Sequence, residues 1–199
     1  MIINPGELKE KISVLEFVKD GDTYTWEQIS LLCAKTEQLS GSNLFSQIGI
    51  GAKSIKFTIR KKSSLTLHNA FKWQRKHYFL TNIAEIDRTY HEITAALVEP
   101  KSCSLSRTAK PVKNTLNRPI YGNPVIMTFQ GCLVEKYMGH TQGDPVAYTE
   151  RRYVLITPKL IELYSGELVT IGNDVYTVLI PHILDDYKNE YEIVVKEDV

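Results

Sequence analysis

Two stretches of this chain carry the same strand pattern, and that repeat constrains the fold more than any other feature. Residues 53–98 hold Ile55-Lys-Phe-Thr-Ile-Arg60, a polar bend, Phe71-Lys-Trp73, His77-Tyr-Phe-Leu80 and a closing strand from Tyr90 to Leu97. Residues 151–196 hold Tyr153-Val-Leu-Ile-Thr157, a bend, Leu168-Val-Thr-Ile171, Asp174–Leu179 and a closing strand from Tyr191 to Val195. A shift of 98 residues lays Phe57 on Leu155, Trp73 on Ile171 and Tyr78 on Tyr176, with about three residues of slack in the last strand. Ile55, Phe57 and Ile59 alternate with Lys56, Thr58 and Arg60, the period of two that a half-buried strand requires. A duplicated β unit without a shared catalytic set points to a building part, not an enzyme.

The rest of the chain extends this all-β reading. Lys11 to Val18 and Tyr24 to Lys35 are β-rich runs on either side of Asp20-Gly21-Asp22, which predicts a hairpin. Ser40 to Ala52 breaks the strand pattern with three glycines, yet keeps Leu44, Phe45, Ile48 and Ile50. It reads as a long loop with exposed apolar side chains, or as one short helix packed on a barrel. Glu99 to Pro124 holds four prolines and little periodicity, the pattern of a linker. The expected architecture is two small antiparallel β-barrel-like domains in tandem: residues 1–99, a linker over 100–124, and a second, diverged domain over 125–199.

Composition narrows the function classes. At 199 residues and 43% hydrophobic content, two packed domains are an ordinary outcome. Val125 to Val134 is the longest apolar run, and Thr128, Gln130 and Gly131 interrupt it well short of the roughly 20 residues of a membrane helix. The first residues lack the basic and apolar regions of a secretion leader, so none is expected. Cys33, Cys103 and Cys132 are too few and too widely spaced for a disulfide framework or a zinc site, and read as reduced thiols. The net charge is +1, but no acid lies between Glu37 and Glu85, a stretch holding Lys53, Lys56, Arg60, Lys61, Lys62, Lys72, Arg75 and Lys76. Acids concentrate toward the end, in Asp185, Asp186 and Glu190 to Asp198. That asymmetry suits either a nucleic-acid path or charge-complementary subunit contacts, and equally two ordinary solvated faces.

Candidate chemistry is sparse. Gly49-Ile-Gly51 lacks the Lys-Ser/Thr and helix that a phosphate loop needs. His182, Asp185 and Asp186 have metal-ligand types without metal-motif spacing, and His91-Glu92 is an acid/base neighbour pair of the same weakness. Cys132 and His140 flank a strand and turn but lack a third orienting group. No catalytic residue, cofactor or metal is expected. Phe71, Trp73, Tyr78 and Phe79 among basic residues fit a stacking platform for nucleic acid, or a half-buried strand.

An ordered set of residues in the first half carries a family resemblance. Gly6-Glu-Leu8 precedes a strand with Ile12; Thr25-Trp26-Glu27 follows the turn; then come Ala34, Gly41, Ile55–Arg60, Trp73, Tyr78-Phe-Leu80 and the strand ending at Leu97. Over residues 6–98 this resembles the head–tail joining (adaptor or stopper) proteins of long-tailed bacteriophages. The resemblance implies a small antiparallel barrel that assembles into a homo-oligomeric ring in the virion neck, made in the host cytoplasm. It also implies portal or adaptor and tail proteins as partners, and transient non-specific contact with DNA passing through the ring. The Ser40–Ala52 loop takes the position of the family's variable loop, which closes the channel in some members. Leu44, Phe45, Ile48, Ile50, Lys53, Lys56, Arg60, Lys61 and Lys62 are thus the expected channel or partner contacts. Lys61-Lys62 departs from the family pattern, and the second domain lacks counterparts of Arg60 and Trp73. The alternative is a monomeric nucleic-acid-binding β-barrel; a metal-dependent enzyme using His182, Asp185 and Asp186 is a third reading.

Overall fold

The computed structural model describes residues 4–39, 53–108, 112–113, 115–120, 122–135, 152–182 and 185–196. The expected loop with Leu44, Phe45, Ile48 and Ile50 lies outside them, as does His140. Among the described residues, after a single 3-10 turn, Pro5–Glu7, every regular element is a strand. Six strands come from the first half: β1 (Glu10–Asp20), β2 (Thr23–Leu39), β3 (Ser54–Arg60), β4 (Ala70–Trp73), β5 (Lys76–Ile86) and β6 (Tyr90–Val98). The second half supplies β7 (Pro100–Arg107), the short β8 (Val112–Lys113) and β9 (Pro119–Ile120), and β10 (Val125–Glu135). It ends with β11 (Arg152–Pro158), β12 (Leu168–Ile171), β13 (Asp174–His182) and β14 (Lys188–Val195).

These strands close into two rings of six. The first runs β1-β4-β5-β6-β3-β2 and returns to β1; the second runs β7-β12-β13-β14-β11-β10 and returns to β7. Closure leaves each barrel without a free sheet edge along its paired length. The all-β, tandem-barrel expectation therefore holds, and the duplication runs deeper than four strands. Ser54–Ala96 and Ala70–Phe79 recur 98 residues on as Arg152–Val194 and Leu168–Thr177. The bulge between Leu80 and Asn82 recurs between Val178 and Ile180. Glu10–Ala34 of the first hairpin recurs as Lys101–Gly131.

Two expectations change. The last strand needs no slack: in the ladders Ile93, not Tyr90, is the counterpart of Tyr191, because Ile93 faces Phe57 as Tyr191 faces Leu155. Pro100–Arg107, read as linker, is the first strand of the second barrel. Proline suits the first residue of a strand, and Cys103 and Leu105 alternate into the core.

Each barrel has its own interior. Ile12, Val14, Phe57, Ile59, Phe71, Tyr78, Leu80 and Ile93 fill the first, with Phe57 edge-on to Phe71, Trp73 and Tyr78 at 5.4–5.9 Å. Leu105, Phe129, Leu155, Val169, Ile171, Val178 and Ile193 fill the second. Leu65 and, 98 residues on, Leu163 are buried plugs from equivalent loops. The Tyr191 hydroxyl fixes the second loop, donating to the Ile161 carbonyl at 2.8 Å and accepting from the Leu163 N–H at 3.1 Å. At Gly131, the counterpart of Ala34, an added Cβ would come within 2.8 Å of Leu155 Cδ1, so the tighter second interior excludes even alanine without a shift.

Candidate functional site

The dominant feature outside the two interiors is the joint between the barrels. Side chains alternate along a strand, so while Phe71, Tyr78 and Leu80 point into the first barrel, Ala70 and Phe79 point out of it. With Leu15 and Val98 they meet Cys132, Val154 and Ile156 of the second barrel in a buried apolar cluster. The first hairpin lengthens this contact, its Phe17 joining the second barrel's core with Tyr24 and Trp26 packed alongside. At its turn the Thr128 N–H donates to the Asp22 carbonyl at 2.9 Å, and the Thr23 and Thr128 hydroxyls lie 3.0 Å apart. These contacts make the tandem one body.

Lys188 crosses the joint. Its ammonium donates to the Leu80 carbonyl at 2.8 Å and the Leu67 carbonyl at 3.1 Å, and lies 5.5 Å from the Phe79 ring centre. Leu80 sits at the β5 bulge, where the ladder shifts, so the lysine gives a donor to a carbonyl at that irregularity. Burial lowers its pKa from 10.5 to about 8, with Asp185 opposing. The unfolded chain then holds this proton more tightly than the folded chain between about pH 8 and 10.5. Stability therefore rises with pH across that window, and the penalty stays in full below it. Lys188→Met should abolish that increment, on the order of 3 kcal/mol from the shift. Urea unfolding of both proteins at pH 7 and 10 reads it as a difference, which cancels the shared titration of tyrosines and thiols.

The five described basic candidates do not form one patch. Lys56 pairs with Glu92 at 3.3 Å, Lys61 with Glu85 at 2.6 Å, and the Lys62 ammonium donates to the Ser30 hydroxyl at 2.6 Å. Lys53 and Arg60 are exposed at opposite ends of β3. Surface pairs of this kind are worth under about 1 kcal/mol each, so such lysines exchange partners readily. The aromatic residues are no stacking platform. Phe71, Tyr78 and Phe79 are buried, and half-buried Trp73 donates its indole N–H to Glu10 at 3.0 Å.

Sequence reasoning missed a cleft of about 800 Å³ beside the joint. Lys72, Arg75, Lys76 and His77 of the β4–β5 hairpin line it, facing Trp26 and Gln130, with Glu99 at the same mouth. Gln74 and Arg75 both hold positive φ, the left-handed pair of a tight hairpin turn, and this packs the cations together. His77 stacks edge-on against Trp26 at 5.1 Å, and burial, then Lys72, drives its pKa down to about 4. It is neutral at physiological pH. The signal in the sequence was the run of cations; the wall formed by Trp26 and Gln130 comes from distant strands.

The enzyme-type candidates have structural partners. Asp185 accepts from the Tyr187 and Lys188 N–H groups as a turn cap, and His182 Nε2 lies 3.0 Å from Glu192 Oε1. Among the described residues no three His, Cys, Asp or Glu side chains gather as metal ligands. Burial pushes the Cys103 thiol up to about 12 and raises that of Cys132, which suits packing and not nucleophilic attack. His91 lies beside its neighbour in β6 with its own side chain buried and Glu92 held by Lys56. In comparisons with known proteins, no family model and no curated protein matches this chain.

Proposed function

We propose that this chain is a structural subunit of a bacteriophage neck, working as a homo-oligomeric ring between the portal and the tail through which DNA passes. The observation that carries the reading is the duplicated barrel with matching registers, fused by a buried joint into one body. A rigid subunit with two barrels of one framework but different outer faces suits repeated, heterologous subunit contacts. The resemblance over residues 6–98 supplies the neck assignment, the virion location, the portal and tail partners, and the idea of a loop that gates the channel. Exchangeable surface cations such as Lys56 and Lys61 suit a wall that touches passing DNA without holding it.

Mass measurement and electron microscopy of the protein, alone and with portal particles, test this. Closed rings, or density added to the portal vertex, are expected; a chain that never joins portal or tail particles overturns the assignment. The basic cleft favours a second reading, a nucleic-acid-binding barrel acting alone. Salt-sensitive binding of short DNA by the monomer, lost on replacing Arg75 and Lys76, would select it.

A further inference from the structure

We infer that the cleft beside the joint is a docking site for a short acidic segment of a partner protein, whose carboxylates pair with Lys72, Arg75 and Lys76 and whose apolar side chains enter between the barrels. The site goes beyond the ring reading and does not depend on it. Strand alternation builds it. Ala70, Lys72, His77 and Phe79 share the outward face of the β4–β5 hairpin, with Lys72 directly opposite His77. The second barrel covers Ala70 and Phe79. Lys72 and His77 are the part of that face left beside the joint, and Leu97, Pro100 and Gln130 line the recess with them.

Three observations point to an anionic ligand. The side chains of Lys72, Arg75 and Lys76 are exposed and hold no ion pair or hydrogen bond among the described residues, unlike those of Lys56, Lys61 and Lys62. Trp26 Nε1 and His77 Nε2, in residues lining the same recess, are buried without a hydrogen-bond partner, which is costly to leave so. A ligand rich in acceptors suits such a wall. The third observation is the other barrel. At the same ladder positions it has Thr170, Gly172, Asn173, Asp174 and Val175 in place of Lys72, Gln74, Arg75, Lys76 and His77. Its turn places Gly172 at φ 65°, whereas Gln74 and Arg75 hold φ 48° and 65° with side chains attached. The barrel framework thus does not require the basic turn, and the chain accepts backbone strain there to keep it.

Nucleic acid would use the same cations, but the recess is poorly built for it. A stacking site needs a free aromatic face, and the Trp26 ring packs against Phe17, His77 and Phe79 at 5.0–5.7 Å. Duplex phosphates stand on a rigid rod and reach projecting cations, not a recess lined by Leu15, Leu97 and Val98. Glu99 at the mouth repels a dense run of phosphates, while a peptide can keep its few carboxylates on the hairpin side. At about 800 Å³ the recess has the size of an ordinary ligand site, and junctions between domains are where such sites form.

A fluorescein-labelled peptide of six glutamates and two leucines, titrated with the full chain and followed by anisotropy, tests the site. Binding is expected, weakening as salt rises, with amide shift changes confined to residues 72–77, 97–99 and 130. Arg75→Glu should weaken it about tenfold or more, and Glu99→Gln should tighten it. Arg88→Glu, likewise exposed but on another hairpin, should leave it unchanged. No binding up to about 1 mM, or an equal loss from Arg88→Glu, overturns the inference. So does equal binding of the same peptide with glutamines for glutamates. Single-stranded DNA of equal charge binding more tightly at the same residues overturns it in favour of nucleic acid. Inorganic phosphate matching the peptide's affinity overturns it in favour of a bare anion. Ring assembly is decided separately, by portal particles.

Discussion

Replacing Ile156 by aspartate should cost about 4 kcal/mol or more and uncouple the two barrels. Ile156 is 1% exposed in the joint, within an apolar cluster of Leu15, Ala70, Phe79, Val98, Cys132 and Val154 against which Trp26 packs. The nearby Lys188 ammonium already serves the Leu80 and Leu67 carbonyls, so the carboxylate is fully solvated only when the barrels part. Each barrel keeps its closed ring when the two part, the second interior losing Phe17, so parting need not unfold either one. Wild type is expected to unfold in one transition. The variant should unfold in two, with the first lowered by roughly 10 °C or more for a chain of this size. Calorimetry reads the transitions, and small-angle scattering reads the larger dimensions of the parted molecule. A single, little-shifted transition would show that the joint does not couple the barrels.

Phe57→Ala should cost about 3–5 kcal/mol by a different route. Phe57 is fully buried and holds edge-on contacts with Phe71, Trp73 and Tyr78. Its removal leaves a void that stiff ring neighbours close poorly. The loss should be largest in the first barrel, seen as amide-exchange protection in β3, β4 and β6 falling below that of the second barrel. Its counterpart Leu155 is smaller and has no ring of its own to pack edge-on, so Leu155→Ala should cost less, nearer 2–3 kcal/mol. Equal losses would contradict the view that aromatic packing sets the difference.

The parts of this structure that were legible in the sequence are those governed by short-range pattern. Alternation in Ile55–Arg60 gave the strand and its inward face, Asp20-Gly21-Asp22 gave the hairpin, and the 98-residue recurrence gave a second barrel of the first one's kind. Pattern misled where two causes leave the same trace. Four prolines made Glu99–Pro124 resemble a linker, although Pro100 occupies a strand position that needs no N–H donor. Tyr90 and Tyr191 matched as letters while the ladders pair Ile93 with the role of Tyr191.

The candidate surface divides the same way. A run of cations without acids was visible, but whether each cation is paired depends on strands far away in sequence: Glu92 for Lys56, Glu85 for Lys61, Ser30 for Lys62. Two barrels of one design follow from local pattern, because side-chain alternation and turn residues act within a few positions. That Val154, Ile156 and Lys188 belong to a joint while their counterparts Lys56, Thr58 and Tyr90 do not is a result of long-range packing. An outward-facing position is polar or apolar according to what covers it, and that cover is supplied by the other barrel.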